Sequence, residues 1–152
     1  MEIFCELLIG GTPKDTLLQE LRAAGVQFND SAQKLFAHPG FNPDHAPQKL
    51  KLIKTSMGEF GLEGPQSLQT ILDHAAARGL RPCPLHTAAH LRLQYRNQRE
   101  GPYLTVASPP PESEADPAGF YVRNRDQILW LRGYRVDGTP EWPKENEFVF
   151  QI

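Results

Sequence analysis

Long apolar runs are missing from this chain, and so are most of the residues that staple or arm a small protein. No stretch approaches the roughly 20 apolar residues that a membrane-spanning helix needs. Cysteine occurs twice, at Cys5 and Cys83, which excludes a disulfide framework. There is no internal repeat and no Gly-x-x-x-x-Gly-Lys-Ser/Thr phosphate loop. Positive charge is not in excess: 16 lysines and arginines stand against 18 acids, for a net charge of −2. A general nucleic-acid coating protein would be basic throughout. The opening Met1–Ile9 has no basic segment and carries Glu2 and Glu6, unlike a secretory signal. These absences point to a reducing, cytoplasmic setting with free thiols, no membrane partner and no cofactor.

What is present suits one domain. A chain of 152 residues with 39% hydrophobic and 22% charged residues has enough material for a single core. The 14 prolines cluster between periodic segments and predict irregular connections. Residues 2–9 read as a strand stopped by Gly10-Gly11. Thr12, Pro13 and Asp15 read as cap, first turn and capping partner of a helix over 13–24, ended by Gly25. Val26–Phe28 reads as a short extended piece, and Asp30 or Ser31 as the cap of a brief helix through Phe36. Residues 38–48 read as a loop and 50–54 as a strand. Gly64-Pro65 opens the clearest helix, 65–78, whose Leu68, Ile71, Leu72, Ala75 and Ala76 make one stripe. A turn of helix over His86–His90 is then followed by an alternating strand, Leu91–Tyr95. Strands are expected at 103–107, 120–123, 128–131 and 147–152, with a hairpin turn at 124–127, another turn at Asp137-Gly138, and a mobile acidic proline-rich loop over 108–117. Helices early and strands late predict an α+β fold. The two main helices would pack on one face of a mostly antiparallel sheet made largely by residues 91–152.

Gly79-Leu80-Arg81-Pro82-Cys83-Pro84, Leu91–Tyr95 and Gln98, with Phe120, Trp130-Leu131, Trp142 and Phe148–Phe150, resemble a recurring group of small bacterial proteins of unknown function. The resemblance covers about two thirds of the chain. It implies a bacterial setting and no chemistry. Some of those proteins carry a helicase label, which a chain with no phosphate loop and no room for two motor domains does not support.

The sharpest local feature is charge. No acid occurs from His74 to Arg99, a stretch holding Arg78, Arg81, Arg92, Arg96 and Arg99. On a strand, Arg92, Gln94 and Arg96 would share one face. Arg92 and Arg96 would then grip an anion, supported by Tyr95 and Arg99, because guanidinium groups bind phosphate or carboxylate as planar forks and also stack. A second set, Arg123, Arg125, Arg132 and Arg135, lies near Trp130, Tyr134 and Trp142. The two sets would merge if the hairpin packed beside the 91–95 strand, unless Glu112, Glu114 and Asp116 neutralise one of them. Phe120, Trp130, Trp142, Phe148 and Phe150 are most economically core.

Cys83-x-x-His86-x-x-x-His90 holds metal-ligand residue types, with the histidines on one face if helical. No second Cys/His pair completes a zinc site, and His38, His45 or His74 would have to do so through the fold, so no metal is expected. The same residues would make a small enzyme if Cys83 were an activated nucleophile served by His86 or His90. Carboxylate pairs such as Glu141 and Glu145 have ordinary surface spacing, and Gly10-Gly11-Thr12 is more economically a tight turn than an anion cradle. The leading expectation is a non-enzymatic binding domain for an anionic partner, nucleic acid or an acidic protein segment. The Cys/His enzyme is a second class, and a protein-interaction module built on the 108–117 loop is a third.

Overall fold

Two-residue alternation and a handful of glycine stops set the strands of this protein. A computed structural model describes residues 3–63, 66–113, 115–135, 142 and 146–152. Strand β1 (Ile3–Ile9) ends at Gly10 and Gly11, both at positive φ. An added Cβ at Gly11 would lie 2.5 Å from the Pro47 ring, so the turn needs glycine for its space as well as its dihedral. Helix α1 (Lys14–Ala23) follows, burying Leu17, Leu18 and Leu21. Its cap position is Pro13, with no side-chain cap bond, rather than the expected Thr12.

The chain continues through β2 (Gln27–Phe28), α2 (Asp30–Phe36), β3 (Gln48–Ser56) and a 3-10 turn, Gly58–Phe60. Then come α3 (Leu68–Ala77), α4 (Thr87–Gln94), β4 (Leu104–Val106), β5 (Gly119–Arg125), β6 (Ile128–Tyr134) and β7 (Glu147–Gln151). The α2 cap is Asn29, one residue before the candidates read from sequence, and its side-chain oxygen accepts from Ala32 N. Gly64-Pro65, Glu114, Asp137-Gly138, Glu141 and Glu145 lie outside the described residues.

All seven strands form one sheet in the order β1-β3-β7-β4-β5-β6-β2. Pairing is antiparallel except at β2–β6 and β4–β7. The α+β class therefore stands, with four α-helices among the described residues. Two expectations change. The sheet also takes β1, β2 and β3, all before residue 57. The two main helices do not share a core. Leu17, Leu18 and Leu21 of α1 cluster with Leu50, Leu52, Val122, Leu131 and Val149. Leu68, Ile71, Leu72 and Ala75 of α3 cluster with Ile53, Phe148 and Phe150. Neighbouring strand residues such as Leu52 and Ile53 thus feed different clusters, as opposite faces of one sheet require. Helices α1, α2 and α4 cover one face, and α3 with the 3-10 turn covers the β3–β7 part of the other.

Residues 91–95 are not a strand. Residues 91–94 continue the helix begun at Thr87, Tyr95 is its C-cap, and Thr87 through Arg92 are all buried. With six consecutive residues buried and only Leu93 and Gln94 reaching the surface, the helix carries no clear amphipathic period. The five-residue alternation Leu-Arg-Leu-Gln-Tyr therefore mimicked a half-buried strand. Among the described residues, no helix is long and apolar enough to cross a membrane.

Candidate anion-binding interface

Helix α4 carries Arg92 into the core, where its side chain is 0% exposed. Its guanidinium donates to Gln98 Oε1 at 2.6 Å and to the Tyr95 carbonyl. Longer contacts of 3.4 Å reach the carbonyls of Arg123 and Trp130. Burial lowers its pKa to about 10, which leaves it a cation at neutral pH. Gln98 in turn donates to the Val122 carbonyl, and Asn124 donates to the Gln98 carbonyl. Arg92 thus ties the segment after α4 to β5 and β6. It is not an anion grip on a strand face, because it is enclosed: its two terminal nitrogens are spent on the protein's own carbonyl oxygens, and its Nε is buried with no partner among the described residues.

The remaining arginines of the acid-free stretch scatter. Arg78 caps α3, stacks over Phe60 at 4.9 Å and donates to the His74 and Phe60 carbonyls. Arg96 is exposed and turns back onto the Leu93 carbonyl. Arg99 is exposed and lines a cleft of about 240 Å³ with Lys54, Tyr95 and Tyr103. Glu147 also lines this cleft, 4.0 Å from Lys54. Tyr95 packs edge-on against Phe4. So Tyr95 and Arg99 share a surface, Arg92 holds their segment from below, and Arg96 lies apart in a groove with Glu20, Ala23 and Gln94.

The second arginine set converges on the other face of the sheet. Hairpin β5–β6 turns at Asp126 and Gln127, both at positive φ, the arrangement of a two-residue type I′ turn. Its register sets Arg123 opposite Trp130 and Tyr121 opposite Arg132. These four alternate with the buried Phe120, Val122 and Leu131, which places them together on the face away from α1, α2 and α4. The result is a checkerboard of cations and rings. Arg132 lies 5.0 Å from the Trp130 ring and 6.0 Å from that of Tyr121. Tyr103, beside β4, meets Tyr121 with ring centroids 4.9 Å apart, and Arg123 sits 5.9 Å over Tyr103. All five side chains are partly exposed. Arg123 donates through Nε to the Gly101 carbonyl, while Arg132 Nε is buried with no hydrogen-bond partner among the described residues. Ion pairs among the described residues are Lys49–Glu6 and Lys54–Glu147, neither involving an arginine. Tyr103 lines the Arg99 cleft as well, so it joins the two arginine sets.

Trp130 therefore leaves the core list read from sequence, whereas Phe120, Trp142, Phe148 and Phe150 are buried. Tyr121 was not singled out. Its signal was the spacing of Tyr121, Arg123 and Arg125 against Trp130, Arg132 and Tyr134, which only the hairpin register turns into one surface. Arg125 is exposed at the hairpin tip, and Arg135 is engaged by the Ala115 carbonyl.

The Cys83 surroundings differ from those of a reactive thiol. Cys83 is fully buried, its amide bonded to the Ala107 carbonyl, and burial pushes its pKa up to about 12. His86 and His90 are 3% and 6% exposed, with ring centroids 5.8 Å apart, and His45 lies 6.3 Å from His86. Burial lowers the pKa of both, that of His90 to about 4. His90 Nε2 accepts the Gly10 amide at 3.2 Å, which ties α4 to the glycine turn. Neither His86 nitrogen has a hydrogen-bond partner among the described residues. No group of three or more His, Cys, Asp or Glu among the described residues is placed to hold a metal ion. The proline-rich segment lines a groove of about 800 Å³ through Pro109, Pro110 and Pro111, opposite Pro39, Pro84 and Leu85.

Compared with known proteins, the chain matches no family model, and no curated protein or solved structure is significantly similar to it.

Proposed function

We propose that this protein is a non-catalytic binding domain that recognises an anionic partner through the β5–β6 sheet face, with Arg123 and Arg132 as the cations. The observation that carries this reading is the checkerboard itself: two guanidinium groups, unpaired with any carboxylate among the described residues, set between three partly exposed rings. A cation held beside aromatic faces keeps its charge while losing side-chain freedom, which favours binding of phosphate or carboxylate. Arg99 and Tyr95 extend the surface across Tyr103. The overall charge of −2 makes this a local, not a general, attraction. A thiol held protonated by burial gives the Cys83 catalytic reading no support.

Titration with inorganic polyphosphate tests the reading. Arg123→Ala plus Arg132→Ala should weaken binding by roughly tenfold or more and flatten its salt dependence. Arg22→Ala plus Arg81→Ala removes the same charge from exposed positions elsewhere and should change affinity by no more than about twofold. Equal losses from the two pairs, or no binding by the unaltered protein, would refute the reading.

A further inference from the structure

Three rings and two cations on one sheet face are more than an anion requires. We infer that the partner bound at this face is single-stranded nucleic acid, its bases stacking on Tyr103, Tyr121 and Trp130 and its phosphates meeting Arg123 and Arg132. The inference rests on the anion-binding reading above and names the ligand class for that same surface.

Tyr103 adjoins β4, Tyr121 is on β5 and Trp130 on β6, three successive strands of the sheet. Neighbouring strands lie about 4.8 Å apart, and the Tyr103 and Tyr121 centroids are 4.9 Å apart. A face of this kind accommodates roughly two or three splayed bases. Cations and rings also alternate across the face. Arg132 adjoins the Trp130 and Tyr121 rings, and Arg123 adjoins Trp130 through the register and Tyr103 through stacking. Each ring thus has a cation beside it, as a chain alternating bases with phosphates needs. The hairpin is nearly free of negative charge: from Gly119 to Arg135 the only acid is Asp126, at the hairpin tip.

The alternatives use less of this surface. A duplex hides its base faces and is read by an element that enters a groove, whereas these side chains are half-buried on a sheet. An acidic protein segment would use the guanidinium groups but leave the rings without stacking partners.

The test compares four probes by fluorescence anisotropy or competition. They are a uniform single strand of about 12 nucleotides, as DNA and as RNA, a duplex of the same length, polyphosphate and polyglutamate. The single strand should bind roughly tenfold or more tighter than duplex or polyglutamate and quench Trp130 fluorescence. Tyr121→Leu should weaken single-strand binding roughly 5- to 150-fold and polyphosphate binding by a much smaller factor, because only the bases lose a stacking partner. Tyr103→Leu, which lies outside the strand ladder, should do the same if the Tyr121 variant folds poorly. If polyphosphate and polyglutamate bind as tightly as the single strand and the tyrosine variants behave normally, the nucleic-acid inference is overturned and the anion reading survives. If no probe binds, both fall.

Discussion

Arg92 donates to the Gln98 side-chain oxygen at 2.6 Å inside the core, and that bond ties the end of α4 to the hairpin bearing the candidate interface. Gln98 reaches the Val122 carbonyl, and Arg92 itself approaches the Arg123 and Trp130 carbonyls. A buried cation solvated by carbonyls rather than by a carboxylate is replaceable only by something that satisfies the same acceptors. Arg92→Ala should therefore destabilise the protein by about 3 kcal/mol or more, measured by urea unfolding. A loss below about 1 kcal/mol, the range of a surface change, would contradict this role.

A second joint links α2 to β6. The Asn29 side-chain oxygen accepts from both Ala32 N and Gly133 N at 2.9 Å, and its amide donates to the Gly133 carbonyl at 3.0 Å. Asn29→Ala should cost about 2 kcal/mol through the lost cap and the stranded backbone groups. Gly133→Ala places a Cβ 2.7 Å from the Ser31 carbonyl carbon and should cost at least as much. Chemical denaturation of both variants checks this.

The histidines confer a pH dependence whose sign is fixed by burial. His90 has its pKa lowered from 6.5 to about 4, first by desolvation and then by His86. His86 is lowered by desolvation and His45, with Asp44 opposing. The unfolded chain thus takes up these protons before the folded one does. Stability should be full above about pH 6.5 and decline as pH falls towards about 4, with His90 contributing part of the decline. His90→Gln should remove that part of the slope, read from urea midpoints across the range. An unchanged slope would place His90 in water.

Thiol chemistry separates the two cysteines. Cys83 is buried with its pKa near 12, and Cys5 is half-buried with a smaller upward shift. A thiol reagent at pH 8 should label Cys5 slowly and leave Cys83 unmodified until urea is added. Rapid labelling of Cys83 in the folded protein would revive the nucleophile.

Local signals in the sequence carried most strands: turn residues at their ends, with two-residue alternation in β3, β5 and β6 and a short apolar run in β4 and β7. The hairpin at 124–127 and the closing strand fall where the pattern places them. Helix α4 did not, because a run of six buried residues shows no period, and its one arginine read as a surface residue. The interface was half legible. Arg123, Arg132 and Trp130 were visible as a set, yet Trp130 looked like core. Only the register of β5 against β6, with β4 alongside, brings Tyr121 and Tyr103 to the same face. Pairing of that kind depends on folded geometry that residue spacing does not encode.

The central claim is tested most directly by mapping backbone and side-chain NMR shifts while a uniform single-stranded oligonucleotide is added. The account predicts that the largest changes fall on Tyr103, Tyr121, Arg123, Trp130 and Arg132, extending to Arg99, and that they diminish as salt is raised. Changes concentrated on α1, Arg96 or the Pro109–Pro111 groove, with the β5–β6 face unmoved, would contradict it.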